Sequence, residues 1–483
     1  MRIHVDRSSA QPVYRQIEGE IGRTVRQGAL GPGERLPSAR ELASDLGVSR
    51  LTVEAAYSAL EVGGLLERRP GSGTFVLPSA GGEAPRAADP AGPWPLWQRE
   101  LEDAGAPQPR QARAPFDFGG GTGARESLPS AEFGRVLRDV IRREGERIFD
   151  YEDPQGFEPL RRSIAQVLCS QGLGATANRI LVTSGSQQAI SLVARLLLRE
   201  GDTVLVEEPS YGAALRLFRA EGLRIVGVPV DRDGMRVEEM EPLLQRHRPG
   251  LLYCTPNFQN PTGTCLSAPR RLRLVELAVR YNLPVLEDDY VGDLRYDGRA
   301  LPCLKALDRS GAVIYVSTFS KMLMPGLRIG FILADGPVLA LLTDRKRTTD
   351  LSSASLPQRV LCAYLSVGRY RRHLRRCRAL YRGRRDAMAA GIRRWFPAGT
   401  SFAVPAGGLF LWARLPGGLR CRDIARGAAE AGVAFRPGRE SFVGEAGGDR
   451  WMRLNFAAND VPVIEEGMRR LGLCVRAARR AAA

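Results

Sequence analysis

Apolar residues in the first part of the chain recur with the spacing of three short helices followed by a hairpin. The first predicted helix spans residues 12–27, where apolar side chains return every four residues. A capping box formed by Ser38 and Glu41 opens a second helix, and Ser49 caps a third. Two short apolar strands then flank the turn residues 70–73. This order predicts a helix-turn-helix domain, mostly α, with a β wing.

From residue 151 onwards, short β-rich runs alternate with helical stretches. The predicted strands are RILVTS, TVLVEE, RIVGVPV, LLYCTP, PVLEDDY, VIYVSTFSK and RIGFIL. Such alternation predicts an α/β domain built on a mostly parallel sheet. Ligands bind these sheets at the carboxyl ends of the strands, and the conspicuous polar residues of this chain follow those ends.

The segment between the two patterned regions is rich in Ala, Gly and Pro. Such a composition cannot bury enough apolar surface to order itself, so residues 79–115 are predicted to be a flexible linker. Trp94 and Trp97 interrupt it and form a candidate docking spot. The predicted domains are therefore a DNA-binding module over 1–78 and an α/β domain over 116–483.

Composition narrows the compartment and the class of protein. No apolar run approaches membrane-spanning length, and the first residues lack the apolar core of a signal peptide. The eight cysteines are scattered without a CxxC pair, so we expect neither a disulfide framework nor a structural metal site. A cytoplasmic protein with no membrane partner is the simplest interpretation.

The formal net charge of +17 indicates a polyanionic partner or an arginine-rich genome. Residues 1–78 contain ten arginines, no lysine and nine acidic residues, so most of the excess lies further along the chain. Much of it falls between Arg369 and Arg394. This run is either a helix with a solvated basic face, which we favour, or an auxiliary contact with the DNA backbone.

Periodicity in the third helix turns Val53, Ala56 and Leu60 inward and therefore Arg50 and Thr52 outward, near the helix N-terminus from which recognition helices read bases. Over residues 11–77, the motifs PVYRQI, GPGERLPSARELASDLGVSRLTV, AYSALEVGGLLERR and GSGTFV resemble the winged-helix domain of GntR-type transcription regulators. The resemblance implies that the residues contacting DNA are Arg40, Ser49, Arg50, Thr52 and, at the wing tip, Gly71. Taken singly, Arg40 or Arg50 has a simpler interpretation as a surface arginine paired with Glu41 or Asp45.

Lysine is scarce in this chain. Among 70 basic residues only Lys305, Lys321 and Lys346 are lysines, and only a primary amine can form a Schiff base with an aldehyde cofactor. Lys321 follows a strongly apolar strand and is the candidate for this chemistry, although a lysine that only caps a strand end is the simpler alternative. Lys305 and Lys346 lie in polar, turn-like segments and are expected to be solvated.

Two further groups of polar residues follow predicted strands. Ser186 and Gln187 come after ILVT and open a helix, so backbone amides and the helix dipole face a bound anion. Tyr211 is placed to stack on an aromatic ring, or simply to pack in the core.

Asn260, in PNFQNPTG, offers an amide donor for a phenolate, and Asp288, which precedes Tyr290, offers a carboxylate that would keep a pyridine nitrogen protonated. Asn260 is otherwise a turn residue, and Asp288 is otherwise a strand-end cap.

In the order anion loop, aromatic residue, NPTG, DDY, SK and arginine, these motifs resemble the fold type I aminotransferase superfamily over residues 116–473. The resemblance implies pyridoxal 5′-phosphate as cofactor, joined to Lys321 and contacted by Tyr211, Asn260, Asp288 and Tyr290. It implies phosphate binding by Ser186, Gln187, Thr318, Ser320 and Arg328. It also implies that Arg453 binds a ligand carboxylate and that Tyr151 reaches the phosphate of a second subunit in a homodimer.

The combination of both domains resembles the MocR branch of GntR regulators. It implies a pyridoxal-phosphate-dependent transcription regulator that binds double-stranded operator DNA and senses the cofactor itself, an amino acid or an amine through aldimine chemistry at Lys321. The alternative is an active aminotransferase that carries a DNA-binding domain. We favour regulation, because catalysis alone has no use for such a module.

Overall fold

In a computed structural model of the chain, two units each enclose their own apolar core, Met1–Arg110 and Gln111–Ala483. The structure describes residues 3, 5–7, 9, 11–77, 95, 114–366, 368–444 and 447–482. The predicted linker, with Trp94 and Trp97, lies outside the described residues except at positions 95, 114 and 115.

The first unit contains the predicted winged helix. Its elements are α1 (Val13–Arg26), β1 (Arg35–Leu36), α2 (Ala39–Leu46), α3 (Arg50–Val62), β2 (Leu66–Arg69) and β3 (Gly73–Val76). The strands pair antiparallel in the order β1-β3-β2. Ile17, Ile21 and Val53 are fully buried between the helices, as their periodicity predicts.

Local capping signals set the helix boundaries in this unit. The Ser38 side chain accepts from the backbone N–H of Glu41, whose carboxylate accepts in return from the Ser38 N–H, so the predicted capping box is confirmed. Gly47 ends α2 with a left-handed conformation (φ 61°), and Ser49 caps α3 through the N–H of Thr52.

The second unit is organised around an eight-stranded sheet. Its strands are β5 (Ile180–Thr183), β6 (Thr203–Glu208), β7 (Arg224–Asp231), β8 (Gly234–Met235), β9 (Leu251–Cys254), β10 (Val285–Asp288), β11 (Val313–Thr318) and β12 (Gly330–Leu333). They lie in the order β5-β12-β11-β10-β9-β6-β7-β8. All pairs are parallel except those made by β12 and β8, so the mostly parallel sheet is confirmed. The central strands are buried along their whole length, which explains their continuous apolar runs.

Helices and two smaller sheets complete this unit. The helices are α4 (Ser130–Glu144), α5 (Glu158–Cys169), α6 (Ser186–Leu197), α7 (Gly212–Ala220), α8 (Met240–His247), α9 (Ala268–Arg280), α10 (Leu304–Leu307), α11 (Val338–Asp350), α12 (Ser355–Ser366), α13 (Arg369–Trp395), α14 (Cys421–Glu430) and α15 (Val461–Ala481). The remaining strands are β4 (Phe116–Asp117), β13 (Ser401–Phe402), β14 (Phe410–Arg414), β15 (Val433–Ala434), β16 (Arg436–Pro437) and β17 (Trp451–Asn455). They form an antiparallel sheet, β13-β14-β17-β16, and a parallel pair, β15-β4.

Within the described part of the chain, no helix combines the length and apolar character needed to cross a membrane. The same residues contain no group of three or more His, Cys, Asp or Glu side chains placed to hold a metal ion.

The basic run forms most of α13, and its arginines have different surroundings. Arg384 and Arg385 are buried and pair with Glu126 and Asp297, so these two cations serve the fold. Four exposed arginines in the first half of the helix make no ion pair within the described residues: Arg371, Arg372, Arg375 and Arg376.

Replacing these four exposed arginines of α13 with glutamine should leave the salt dependence of DNA binding unchanged, as expected for a solvated face. It should also stabilise the helix slightly, because like charges four residues apart repel by about 0.2–0.5 kcal/mol per pair. DNA affinity measured across a salt series tests this. A slope smaller by about 0.9 for each lost phosphate contact would instead place α13 against DNA.

Candidate functional site

The carboxyl ends of β9, β10 and β11 meet at one edge of the large sheet and open into a cavity of about 170 Å³. β9 leads to Thr255, β10 ends with Asp288, and β11 leads into the turn that carries Lys321. The predicted site residues that line this one cavity are Ser186, Tyr211, Asn260, Asp288, Tyr290, Lys321 and Arg453. The structure therefore brings together residues that lie up to 267 positions apart in the chain, from 186 to 453.

The two carboxylate oxygens of Asp288 differ in their hydrogen bonding. Its Oδ2 accepts a 2.8 Å hydrogen bond from the hydroxyl of Tyr253, whereas its buried Oδ1 has no partner among the described residues. Burial raises the pKa of Asp288 to about 7, and the Tyr253 bond opposes part of that rise. A buried carboxylate oxygen without a partner is costly, and a protonated pyridine nitrogen would supply the missing donor.

Lys321 is the amine of the cavity. Burial and the positive charges of Arg453 and Arg328 lower the pKa of Lys321 to about 8. A substantial fraction of the amine is therefore neutral near pH 8, as nucleophilic attack on an aldehyde requires. Its Nζ also lies close to the chain at Gly121, where an added Cβ would be 3.6 Å away.

The expectation that Lys305 and Lys346 are solvated is wrong. Both are buried, and their ammonium groups donate to Asp335 and Asp350 respectively. The polar residues around each lysine in the sequence suggested exposure. Burial depends instead on the elements that pack against the lysine in the folded chain. These two lysines are committed to ion pairs, which strengthens the contrast with Lys321.

The loop between β5 and α6 forms an anion-binding cradle. Gly185 has a φ of 96° and precedes Ser186, and no side chain caps the free N–H groups of α6. The guanidinium of Arg328 packs against this glycine so closely that a Cβ there would lie 2.8 Å from Nη2. Arg328 also donates to the carbonyl of Ser184 at 3.0 Å, and the buried Oγ of Ser320 has no partner among the described residues. Free helix amides beside a guanidinium suit a phosphate group, and binding of the phosphate by Ser186, Ser320 and Arg328 remains a prediction.

Other predicted cofactor residues are engaged in contacts within the protein. Thr318 donates to the carbonyl of Ile329 at 3.1 Å and accepts from the Ser320 N–H at 3.1 Å, so it braces the turn before Lys321. Gln187 donates to the carbonyl of Ala213 at 3.3 Å, which links α6 to α7. The hydroxyl of the buried Tyr290 donates to the carbonyl of Phe258 at 2.9 Å. Cofactor contacts by these three side chains remain predictions.

Arg453, on β17, provides a cation on the side of the cavity formed by the smaller sheet. Its guanidinium donates to Asn260 Oδ1 at 3.1 Å and to the carbonyls of Gly119 and Gly120 at 3.1 and 3.2 Å. Its Cζ lies 4.1 Å from the ring centroid of Phe410. Within the described residues these hydrogen-bond partners are all neutral, and burial lowers the pKa of Arg453 to about 10. A carboxylate would complete this site.

Two other tyrosines predicted to contact the cofactor, Tyr211 and Tyr151, have different surroundings. Tyr211 lies immediately before α7 and lines the cavity, where burial raises its pKa. Tyr151 is 86% exposed and does not line the cavity. Its predicted contact with the phosphate of a second subunit stays a prediction.

The predicted DNA-contact residues lie at the start of α2 and α3 and at the hairpin tip. Arg40, Ser49 and Arg50 are exposed, and Gly71 has a φ of 74° that favours glycine. Arg50 donates to Glu54 at 2.7 Å, rather than to Glu41 or Asp45. Thr52 and Ser49 are joined through their hydroxyls at 2.8 Å. The ion pair with Glu54 keeps the Arg50 side chain at the N-terminal end of α3, which is the end from which a recognition helix contacts DNA.

Replacing Arg50 with alanine should weaken binding to an operator selected from random DNA by about 1–3 kcal/mol, because a base contact is lost. Arg15→Ala is the matched control, since Arg15 is also exposed and pairs with Glu18 at 2.9 Å. Affinity for selected and random DNA, measured for both variants, checks the prediction. Equal effects of the two substitutions would contradict a specific role for Arg50.

Sequence reasoning missed several residues of the cavity. The most informative is Tyr253, whose hydroxyl fixes the orientation of Asp288. Its position in LLYCTP, one residue before the end of β9, is the signal that was available. Other missed residues include Thr255 and the charged residues Arg216, Arg436 and Glu440. They were missed because α7, β16 and the following turn converge only in the folded chain.

The winged helix and the cavity together define a class of protein. A phosphate cradle, a nucleophilic lysine and a carboxylate for a pyridine nitrogen, arranged at the strand ends of this sheet, are the features of a type I pyridoxal-phosphate fold. Joined to them in the same chain is a winged helix-turn-helix domain.

Comparisons with known proteins agree with this class. Residues 124–471 match the family of aminotransferase class I and II, and residues 13–76 match the gntR family of bacterial regulatory proteins. The 2-aminoadipate transaminase of Thermus thermophilus is 37% identical over 75% of this chain and 90% of its own length. The probable rhizopine catabolism regulatory protein MocR of Rhizobium meliloti is 33% identical over 97% of this chain and 94% of its own.

A solved structure shows the same fold. It is the alpha-aminoadipate aminotransferase LysN of Thermus thermophilus, complexed with N-(5′-phosphopyridoxyl)-L-leucine, with a TM-score of 0.72 and 36% identity over 76% of this chain and 93% of that one. The present chain therefore belongs to the aminotransferase class I and II family and carries a gntR-family domain at its N-terminal side. Pyridoxal 5′-phosphate is the cofactor of this fold, and the unpartnered oxygens of Asp288 and Ser320 fit its ring nitrogen and its phosphate.

Proposed function

We propose that this protein is a cytoplasmic, homodimeric transcription regulator that binds operator DNA and responds to pyridoxal 5′-phosphate together with an amino acid or an amine. The observation that carries the proposal is a cavity equipped for this cofactor in a chain that also contains a gntR-family domain. We assign the DNA-binding module to residues 1–78, the linker to 79–115 and the cofactor domain to 116–483.

Pyridoxal 5′-phosphate supplies an aldehyde that condenses reversibly with primary amines and a ring that withdraws electrons once its nitrogen is protonated. In our proposal Lys321 provides the amine, and Asp288 holds the proton at the ring nitrogen. The anion cradle of Ser186, Ser320 and Arg328 binds the phosphate. Arg453 binds the carboxylate of an incoming amino compound.

Regulation follows if this ligand binds two conformations of the dimer with different affinities. In this proposal an amino compound competes with Lys321, in the turn after β11, and also binds Arg453 on β17. It therefore bridges two walls of the cavity, whereas the cofactor alone would not bind Arg453. A difference in affinity between states is sufficient to shift the population that binds DNA. Tyr151 of each subunit is proposed to contact the cofactor phosphate in the other subunit, so that cofactor binding depends on the dimer.

An active aminotransferase with a DNA-binding appendage is the second candidate. It is favoured by the presence of both Lys321 and Arg453 in the cavity and by the similarity to the 2-aminoadipate transaminase. Turnover at an ordinary enzyme rate, roughly 1 per second or more, would support this candidate.

Two assays on the same preparation distinguish the candidates. Operator occupancy is measured by footprinting with the cofactor alone and with a panel of amino acids and amines, and keto-acid formation is followed in parallel. The regulator hypothesis predicts a change in occupancy with one ligand class and little keto acid. Identical occupancy under every condition, with steady keto-acid production, would overturn it.

A further inference from the structure

A charged cluster on one side of the cavity has no role in holding the cofactor in the proposal above. Arg216 comes from α7, Arg436 from β16 and Glu440 from the turn that follows, and all three line the same cavity as Lys321. The Glu440 carboxylate accepts from Arg216 Nη1 at 3.0 Å and from Arg436 Nη1 at 3.2 and 3.3 Å. One carboxylate is thus shared by two guanidinium groups.

The backbone around this cluster is firmly held. The Ser210 N–H donates to the carbonyl of Ser441 at 2.7 Å, and Arg219 donates to the next two carbonyl oxygens. Gly212 approaches the Glu440 backbone so closely that a Cβ would lie 2.8 Å from its carbonyl oxygen. The positions of Arg216 and Glu440 are therefore set by the fold, and only their side chains are free to rearrange.

The charges around the ligand space do not balance. Lys321 and Asp288 offset each other, which leaves three arginines and one glutamate among the charged residues of the cavity, an excess of two positive charges. These residues are Arg216, Arg436, Arg453 and Glu440. The cofactor phosphate does not reduce this excess, because it belongs to the cradle formed by the α6 N-terminus and Arg328. A ligand with two acidic groups would balance the cavity.

We propose that the ligand is an amino acid with a second acidic group. Its first carboxylate binds Arg453, and its distal acidic group takes the place of the Glu440 carboxylate between Arg216 and Arg436. The Glu440 side chain is 33% exposed and turns towards water when displaced. This inference rests on the proposed function, since it takes the amino compound to bind beside Lys321.

Other side chains fit the cluster less well. A neutral side chain would gain no ionic contact with Arg216 or Arg436, because Glu440 would keep both. A basic side chain would add a further cation to a cavity that already has an excess of positive charge. The cluster therefore selects against both classes as well as for an acid.

The test uses full-length protein loaded with pyridoxal phosphate and isosteric pairs of probes, aspartate with asparagine and glutamate with glutamine. Affinity is followed by the change in cofactor absorption. Calorimetry with glutarate and its monoamide measures binding without an amino group. We expect the acid to bind about tenfold more tightly than its amide in at least one pair, because the acid alone forms charge-assisted hydrogen bonds with two arginines.

Variants of the cluster should change this preference. Arg216→Met and Arg436→Met are each expected to abolish this preference by weakening binding of the acid more than binding of the amide. Glu440→Gln should strengthen binding of the acid, because the competing carboxylate is gone. Arg426→Met is the matched control: Arg426 also pairs with a glutamate four residues later, Glu430 at 2.9 Å, but lies outside the cavity.

Equal affinities for acid and amide in every pair would overturn the proposal, and so would a preference that survives both arginine substitutions. Tighter binding of lysine that is lost in Glu440→Gln would overturn it by assigning the cluster to a cation. Operator occupancy is measured separately on the wild type. Selective binding of the acid without any change in occupancy would refute the regulator function and leave this inference standing.

Discussion

Replacing Lys321 with alanine is expected to abolish covalent attachment of pyridoxal phosphate and every response to amino compounds that depends on it. No other described lysine is available, because Lys305 and Lys346 are buried in ion pairs. Borohydride makes the bond between an amine and an aldehyde permanent. After its addition, the wild type should gain the mass of one phosphopyridoxyl group per chain, and the variant should gain none.

The three lysines of the wild type provide an internal control for this experiment. Peptide mapping should find the modification on Lys321 and on neither of the others. The rate of attachment should rise with pH through about pH 8 and level off above it, because the lowered pKa of Lys321 sets the fraction of neutral amine. Modification of Lys305 or Lys346, or attachment that persists in the alanine variant, would contradict the assignment.

Replacing Asp288 with asparagine should weaken cofactor binding by about 2–5 kcal/mol, which is roughly thirtyfold or more. Asparagine preserves the shape of the side chain and can still accept from Tyr253. It cannot ionise, so it cannot hold a proton at the ring nitrogen by charge. Equilibrium dialysis of pyridoxal phosphate against both proteins measures the effect.

Tyr253→Phe should have a smaller effect of the same kind as Asp288→Asn. Loss of the hydroxyl removes the bond that opposes the raised pKa of Asp288, so the carboxylate becomes harder to ionise. The cofactor should bind more weakly by about tenfold or less, which corresponds to the usual net contribution of one hydrogen bond, about 0.5–1.5 kcal/mol. If Tyr253 acts through Asp288, its substitution should add little in the Asp288→Asn background. Fully additive effects would show that the two residues act independently.

The winged helix was largely predictable from sequence, because its signals are local. The capping box at Ser38, the cap at Ser49 and the turn at residues 70–73 each lie within a few residues of the element boundary that they set. Helical periodicity then identified Ile17, Ile21 and Val53 as core residues, which the structure confirms. Predicted contacts with DNA rest instead on family resemblance and await the Arg50 experiment.

The cavity was only partly predictable. Asp288 and Lys321 were identified because polar residues that follow apolar strands collect at one edge of a parallel sheet. The pairing of Asp288 with Tyr253 was not, because it joins two neighbouring strands whose registers no local motif specifies. The burial of Lys305 and Lys346 was mispredicted for the same reason, since their partners Asp335 and Asp350 depend on how distant elements pack.

The sequence by itself determined the two folds, because these depend on short motifs and on strand or helix periodicity. The order of its motifs also indicated the cofactor, through family resemblance, and the residues that we propose hold it. Only the tertiary structure decided which charges surround the ligand. Arg216, Glu440, Arg436 and Arg453 come from α7, a turn, β16 and β17, and they face one cavity only when the small sheet packs beside the large one. Ligand selectivity depends on distances between such remote side chains, and those distances are set by packing rather than by any local pattern.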